Sequence, residues 1–194
     1  MNTNAKSTNA TNTKSKLVAA RQTPLQQRYL KEPEAAWIRD EARAVIGSSA
    51  DPFHSEIEPA NNAGKRWSLG IHQAVGGYHD APNPGDLLAA SLAACLHSTT
   101  RMIAQWLDIE LADVEVMVGA ECDARGTLMV DSSVPVGFQR MDCNVWLQIA
   151  TRTDEKRLKA LMARAEACCV VMQTLRGGVD VKTIWHIEQE TSHA

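Results

Sequence analysis

Apolar residues follow two rhythms along this chain, one with the period of a helix and one of strict alternation, and their order predicts the elements. From Leu25 to Ile46 the apolar positions Leu25, Tyr29, Ala35, Ala36, Ile38, Ala42 and Val45 are scattered among charges. That pattern predicts one or two short helices broken near Pro33, whose ring removes a backbone donor. Ser48 to Lys65 collects Gly, Asp, Pro, Ser and Asn and reads as loop with at most a brief strand. Trp67, Leu69, Ile71 and Ala74 then form a short strand-like run ending at Gly76-Gly77, and a loop spans Tyr78 to Pro82. Asn83 followed by Pro84 is a helix start, a side-chain cap and then a ring already at helical φ, and the helix should run to about Leu107.

Val114, Val116 and Val118 alternate with Glu115 and Met117, and Cys143, Val145, Leu147 and Ile149 alternate with Asn144, Trp146 and Gln148. These are two strands, joined antiparallel through a long connection containing Gly126 and Asp131-Ser132-Ser133. A second helix is expected from Asp154 to Arg176, with Leu158, Leu161, Met162, Ala165, Met172 and Leu175 on one stripe and Gly177-Gly178 as its stop. Val179, Val181, Ile184 and Trp185 suggest a last strand. Helices and strands do not alternate regularly, so the class is α+β. The chain divides into a disordered tail over 1–24, a helical preface and loop over 25–65, and one folded domain over 66–194.

Composition narrows the function. With 44% hydrophobic and 22% charged residues and a formal net charge of -3, nothing draws the chain to nucleic acid, and small molecules or proteins are the expected partners. The run Leu87 to Leu107 carries Ser91, His97, Ser98, Thr99, Thr100, Arg101 and Gln105, which reads as too polar for a membrane span. Met1 to Lys16 lacks the apolar core of a secretory signal, and it has Lys but no Arg, unlike a transit peptide. The five cysteines, at 95, 122, 143, 168 and 169, include no CxxC pair, so neither a disulfide framework nor a zinc ribbon fits. A reducing cytoplasm is implied, with no metal or cofactor. Adjacent Cys168 and Cys169 rarely chelate one zinc, and neither His79 nor His97 stands at helical ligand spacing from them.

At about 100° per residue, Leu88, Leu92, Cys95, Thr99, Met102, Ile103 and Trp106 share a face of the first long helix, so Cys95 points inward. Its default role is a small buried hydrophobe. His97 lies nearly opposite and does not meet it, whereas Ser91 and Thr99, one turn to either side, are polar neighbours within reach. Cys168 and Cys169 flank the second stripe, and periodicity does not choose between them. Cys122 and Cys143 fall in strands, where filling space is the default for a free thiol.

The phrase Asn83-Pro84-Gly85-Asp86-Leu87-Leu88-Ala89-Ala90-Ser91-Leu92-Ala93-Ala94-Cys95 resembles the first-cysteine helix of the osmotically inducible protein C and organic hydroperoxide resistance (OsmC/Ohr) superfamily. Cys169-Val170-Val171-Met172-Gln173-Thr174-Leu175, followed by Val179-Asp180-Val181, resembles its second-cysteine helix and final strand, usually built on Cys-Pro-Val. The resemblance covers about Arg66 to Ile187. It implies an intertwined homodimer with curved antiparallel sheets packed around two long cysteine-bearing helices. It also implies that Cys95 is the peroxidatic cysteine and Cys169, rather than Cys168, the resolving one. The thiolate would attack an organic hydroperoxide, become a sulfenic acid and close a disulfide that a lipoyl-type dithiol reduces.

The peroxidase branch activates its thiol with an arginine from an early loop and a glutamate on the helix. Here the glutamate position is Gly85, with Asp86 one step later, and Ser48 to Lys65 contains no arginine, although Arg43 and Arg66 flank it. Arg43 and Arg66 are therefore the candidate activators and Asp86 the candidate orienting carboxylate. The alternative is a non-enzymatic homodimer of the same scaffold that binds a small apolar or thiol-bearing molecule.

Overall fold

The computed structural model describes residues 17–47, 51–60 and 64–187, so residues 1–16 of the expected tail lie outside the described residues. Helix α1 (Leu17–Lys31) already occupies the last part of that tail, with Pro24 in its interior. It leans on the end of the first long helix through Val18 N–H to Gln105 Oε1 (3.2 Å) and Trp106 Nε1–H to Gln22 Oε1 (2.5 Å). A 3-10 turn follows at Pro33–Ala36. The preface then contributes strands, not only helix and loop. β1 (Ala42–Val45) and β2 (Ser55–Pro59) pair antiparallel, and β2 pairs antiparallel with β3 (Trp67–Leu69). β2 and β3 are neighbours in one sheet and lie on either side of the boundary expected at residue 65. These strands are short and only Leu69 among them is buried, so the pairing itself and not an apolar stripe defines them.

The rest is built on α2 (Pro84–Trp106). Asn83 caps it, its Oδ1 accepting from the N–H groups of Gly85 (2.8 Å) and Asp86 (3.2 Å), while Asp86 Oδ2 accepts from Asn83 N–H (2.9 Å) and Nδ2 (2.7 Å). Reciprocal capping of this kind satisfies donors that the first turn leaves open. At the other end the Arg157 guanidinium donates to the carbonyls of Leu107 and Asp108, covering the last acceptors of the helix.

β4 (Leu111–Glu121) and β5 (Arg140–Ile149) form an antiparallel ribbon, joined by a long connection that includes the short helix α3 (Ala124–Thr127). α2 packs on β4 and against α4 (Glu155–Cys168) and α5 (Val170–Gly177). By length and composition α2 is apolar enough to cross a bilayer, more so than its polar residues suggested, yet here it is the helix the core forms around. One cluster gathers Leu92, Leu96, Ala165, Cys169 and Met172 against Val116, Val118, Met141 and Cys143 of the ribbon. A second joins Ala104, Ile109 and Leu161 to Leu147 and Ile149.

Two expectations are overturned. The single helix over Asp154 to Arg176 is two helices, because Cys169 adopts an extended backbone (φ -77°, ψ 102°) and both ends α4 and caps α5. No Gly or Pro marks the break. The last strand is absent among the described residues 178–187, where Val179, Val181, Ile184 and Trp185 stay exposed. An extended segment becomes a strand only where a neighbour takes up its backbone donors and acceptors.

Away from the helices, His54 ties the approach to β2 to the loop after β3. Its Nδ1 meets Asp51 Oδ2 at 2.8 Å, its Nε2 meets Asp80 Oδ2 at 3.0 Å, and its ring stacks on Tyr78 with centroids 5.6 Å apart. Hydrogen bonds to Asp51 and then Asp80 raise the His54 pKa, and the His54 bond lowers that of Asp80. A raised histidine stabilises the fold fully below its unfolded value, roughly 6.5, and loses that contribution as pH rises through its folded value. A lowered aspartate contributes above its unfolded value of roughly 3.9 and fades as pH falls further. The melting-temperature gap between the native protein and His54→Ala should therefore be widest between about pH 4 and 6.5 and shrink above it; a gap independent of pH would show that the clasp is not ionic. Asp86→Ala should cost about 1 kcal/mol in chemical denaturation, as the loss of one cap does.

Candidate thiol site

The break at Cys169 decides the geometry of the cysteines. The Cys169 N–H donates to Glu166 O (3.3 Å) and its carbonyl accepts from Gln173 N–H (2.9 Å), so the corner is held from both sides. Gln173 Nε2 also donates to Glu166 O (2.9 Å), and Arg176 Nη2 reaches Glu166 Oε2 at 2.9 Å. Starting a new helix at Val170 leaves its first N–H groups without partners inside α5, and helix N-termini attract negative charge.

Those donors meet Cys95. Burial pushes the Cys95 thiol up, but it is outweighed by hydrogen bonds from the Val171 N–H, the Cys169 thiol, the Thr99 hydroxyl and the Val170 N–H, and the pKa falls below the ordinary value. A charged sulfur that accepts several hydrogen bonds is stabilised over the neutral thiol. Cys169 goes the other way. Its burial raises its pKa, the Met172 N–H opposes this, and the bond to Cys95 and the nearby thiols of Cys95 and Cys143 add to the rise. The two sulfurs thus form a thiolate acceptor and a thiol donor that titrate together.

Cys169, at 0% exposure, is the partner that reaches Cys95, whereas Cys168 on the outer side of the corner is exposed. Thr99 is buried beside the sulfur and Ser91 is exposed. The candidate activating groups are occupied elsewhere. Arg43 lies opposite Glu58 in the β1–β2 register and bonds it at 3.2 Å. Arg66 bonds Glu56 at 3.0 Å and approaches Glu58 at 3.6 Å. Asp86 is spent on the cap of α2. Gly85 is closed to a side chain as built, since a Cβ there would lie 2.9 Å from both Asn83 Oδ1 and Phe138 Cζ.

The sequence reading missed the donors at Val170 and Val171. Their signal would have been a break at Cys169, and the stripe continues across it in register. It also left Cys143 as filler. That thiol packs on the cluster containing Cys169 and lines a cleft of about 760 Å³. Leu92, Leu96 and Met172 form apolar parts of its wall, and Arg140, Glu166 and Arg176 supply charge. Cys95 is not part of that wall, although it is itself partly exposed.

The family described as OsmC-like protein matches residues 77–184. Among solved structures, an OsmC-like protein from Mycoplasma pneumoniae overlays with a TM-score of 0.57 at 14% identity, covering 73% of this chain and 89% of that one. An organic hydroperoxide resistance protein from Legionella pneumophila overlays at 0.54 with 27% identity, covering 76% and 96%. One from Elizabethkingia anophelis gives 0.54 with 20% identity, covering 76% and 94%. No curated protein matches the chain.

If the α5 donors and Thr99 hold the Cys95 thiolate, the pH midpoint of Cys95 alkylation by iodoacetamide should lie below that of an ordinary thiol, roughly 8.5, and Thr99→Val should raise it. An unmoved midpoint in the variant would remove the hydroxyl from the site.

Proposed function

This chain belongs to the OsmC-like protein family, and we propose that it is a thiol peroxidase acting on organic hydroperoxides through Cys95 and Cys169. The observation that carries the reading is that Cys95 packs, beside Val171, on the cluster that holds Cys169, where the start of α5 and the Cys169 thiol lower its pKa. A lowered pKa supplies the nucleophile, and a neighbouring protonated thiol supplies the group that traps its oxidised form. The similarity to the Legionella protein named for organic hydroperoxide resistance supports the substrate class.

The chemistry balances in three steps. The Cys95 thiolate attacks one peroxide oxygen, the O–O bond breaks, and the alkoxide takes a proton to leave as alcohol, with Cys95 now a sulfenic acid. The Cys169 thiol attacks that sulfur, forming the Cys95–Cys169 disulfide and expelling water. A dithiol of the lipoyl type then gives two electrons and two protons and is released as its own disulfide. A cytoplasmic setting fits five free cysteines. The exposed apolar residues Val179, Val181 and Ile184 fit pairing with a second copy of the chain, so the working unit is proposed as a homodimer.

A second reading is favoured by one observation, the 760 Å³ cleft that Cys95 does not line. In it the chain is a non-enzymatic homodimer that binds a small apolar molecule there.

One equivalent of cumene hydroperoxide should consume Cys95 and Cys169 as a pair. Cys95→Ser should fall to the uncatalysed background, and Cys169→Ser should hold a sulfenic acid that dimedone traps. Arg43→Ala and Arg66→Ala should stay within about twofold, since exposed ion pairs contribute little. Thiol loss that does not depend on Cys95 would leave only the binding reading.

A further inference from the structure

Cys143 stands on β5 opposite Val118 in the ribbon register, and both side chains face the helices. Cys169 is a fully buried member of the cluster on which Cys143 packs, and Cys143 adds to the rise of the Cys169 pKa. Cys143 also lines the cleft, together with the cluster residues Leu92, Leu96, Ala165 and Met172. The three sulfurs therefore differ in access, with Cys95 partly exposed, Cys169 at 0% exposure and Cys143 on the cleft wall. A disulfide closed between the first two has one sulfur wholly sealed from any external dithiol.

We propose that Cys143 is a third redox residue, which takes over the disulfide from Cys95 by attacking Cys169 and so presents it to a dithiol reductant in the cleft. In this exchange the Cys143 thiol loses its proton and its sulfur bonds to that of Cys169. The Cys95–Cys169 bond breaks, and Cys95 leaves as a thiolate. One disulfide is exchanged for another, so the transfer requires no oxidant or reductant. The dithiol is needed only afterwards, when it gives two electrons and two protons and restores Cys143 and Cys169.

The acidities favour this direction. Exchange is faster when the departing thiol is the more acidic, and the disulfide settles on the more basic thiols. Cys95 is the sulfur whose charge α5 and Thr99 stabilise. Burial raises the Cys143 pKa, with Asp142 and Glu166 adding to the rise and Arg176 opposing it. These three are the charged groups that face it, from its own strand, α4 and α5, and the transfer should quicken as alkali deprotonates Cys143. The relay also returns Cys95 to its reactive form before the reductant arrives. The inference rests on the peroxidase reading for the origin of the disulfide but not for its transfer.

The test uses the full chain carrying Cys122→Ser and Cys168→Ser, two exposed bystanders. Diamide, which takes two electrons from a thiol pair, generates the disulfide with no peroxide step. Samples are acid-quenched over time, blocked with N-ethylmaleimide, digested and mapped by mass spectrometry. A Cys95–Cys169 species should appear first and decay into Cys143–Cys169 with Cys95 alkylated, and Cys143→Ala should slow reduction by dihydrolipoamide at least tenfold. A Cys95–Cys169 disulfide that persists alone, or an unchanged reduction rate in the variant, overturns the relay. Since the exchange is read with Cys143 intact, it does not depend on how the variant folds. If diamide drives the exchange while cumene hydroperoxide consumes no thiol, the peroxidase reading fails and the relay stands.

Discussion

The arrangement depends on one contact, the first N–H groups of α5 against the Cys95 sulfur. It requires α4 to stop at Cys168 and a new helix to begin at Val170, so that donors otherwise consumed inside one continuous helix are released toward a neighbour. A helix N-terminus acting on a partly buried anion is worth roughly 0.3 to 2 kcal/mol, and one pKa unit corresponds to about 1.36 kcal/mol. Terms of that size are enough to oppose the rise that burial imposes. Glu166, Gln173 and Arg176 brace the corner and maintain the contact.

The groups expected to activate the thiol are engaged elsewhere in the chain. Arg43 and Arg66 are held by Glu58 and Glu56, and Asp86 serves the cap of α2. The position at which the peroxidase branch carries a glutamate is Gly85, closed by Asn83 and the Phe138 ring. Main-chain N–H groups of α5 and the Thr99 hydroxyl lower the pKa of this thiol, and they need no buried cation, whose desolvation is costly.

The ribbon and helices separate the site into two sides. Cys95 is partly exposed on α2, Cys169 is sealed in the core, and Cys143 opens on the cleft beyond. Oxidation and reduction of a thiol pair place opposite demands on access, and Cys95, off the cleft wall, differs in access from Cys143, on it.

The sequence was informative wherever a signal is local. The cap at Asn83-Pro84 set the start of α2 and placed Cys95 and Thr99 on its inner face, and alternation located β4 and β5 and their antiparallel pairing. The order of elements around the two cysteines was also enough to suggest the family. Other features are interactions between distant segments, and no local pattern records them. β1 and β2 exist because they pair, the residues after Gly178 form no strand because none of the described residues pairs with them, and the apolar stripe runs unbroken through Cys169 although the backbone does not. Sequence alone therefore determined where α2 begins, that Cys95 and Thr99 share one of its faces, and which family the chain resembles. Only the tertiary structure decided that Cys169 forms the corner between α4 and α5, that the Val170 and Val171 N–H groups bear on the Cys95 thiol, and that Cys143 packs on the cluster holding Cys169. The physical reason is that periodicity reports the direction of a side chain around its own axis, while acidity and reactivity depend on what another element places against it.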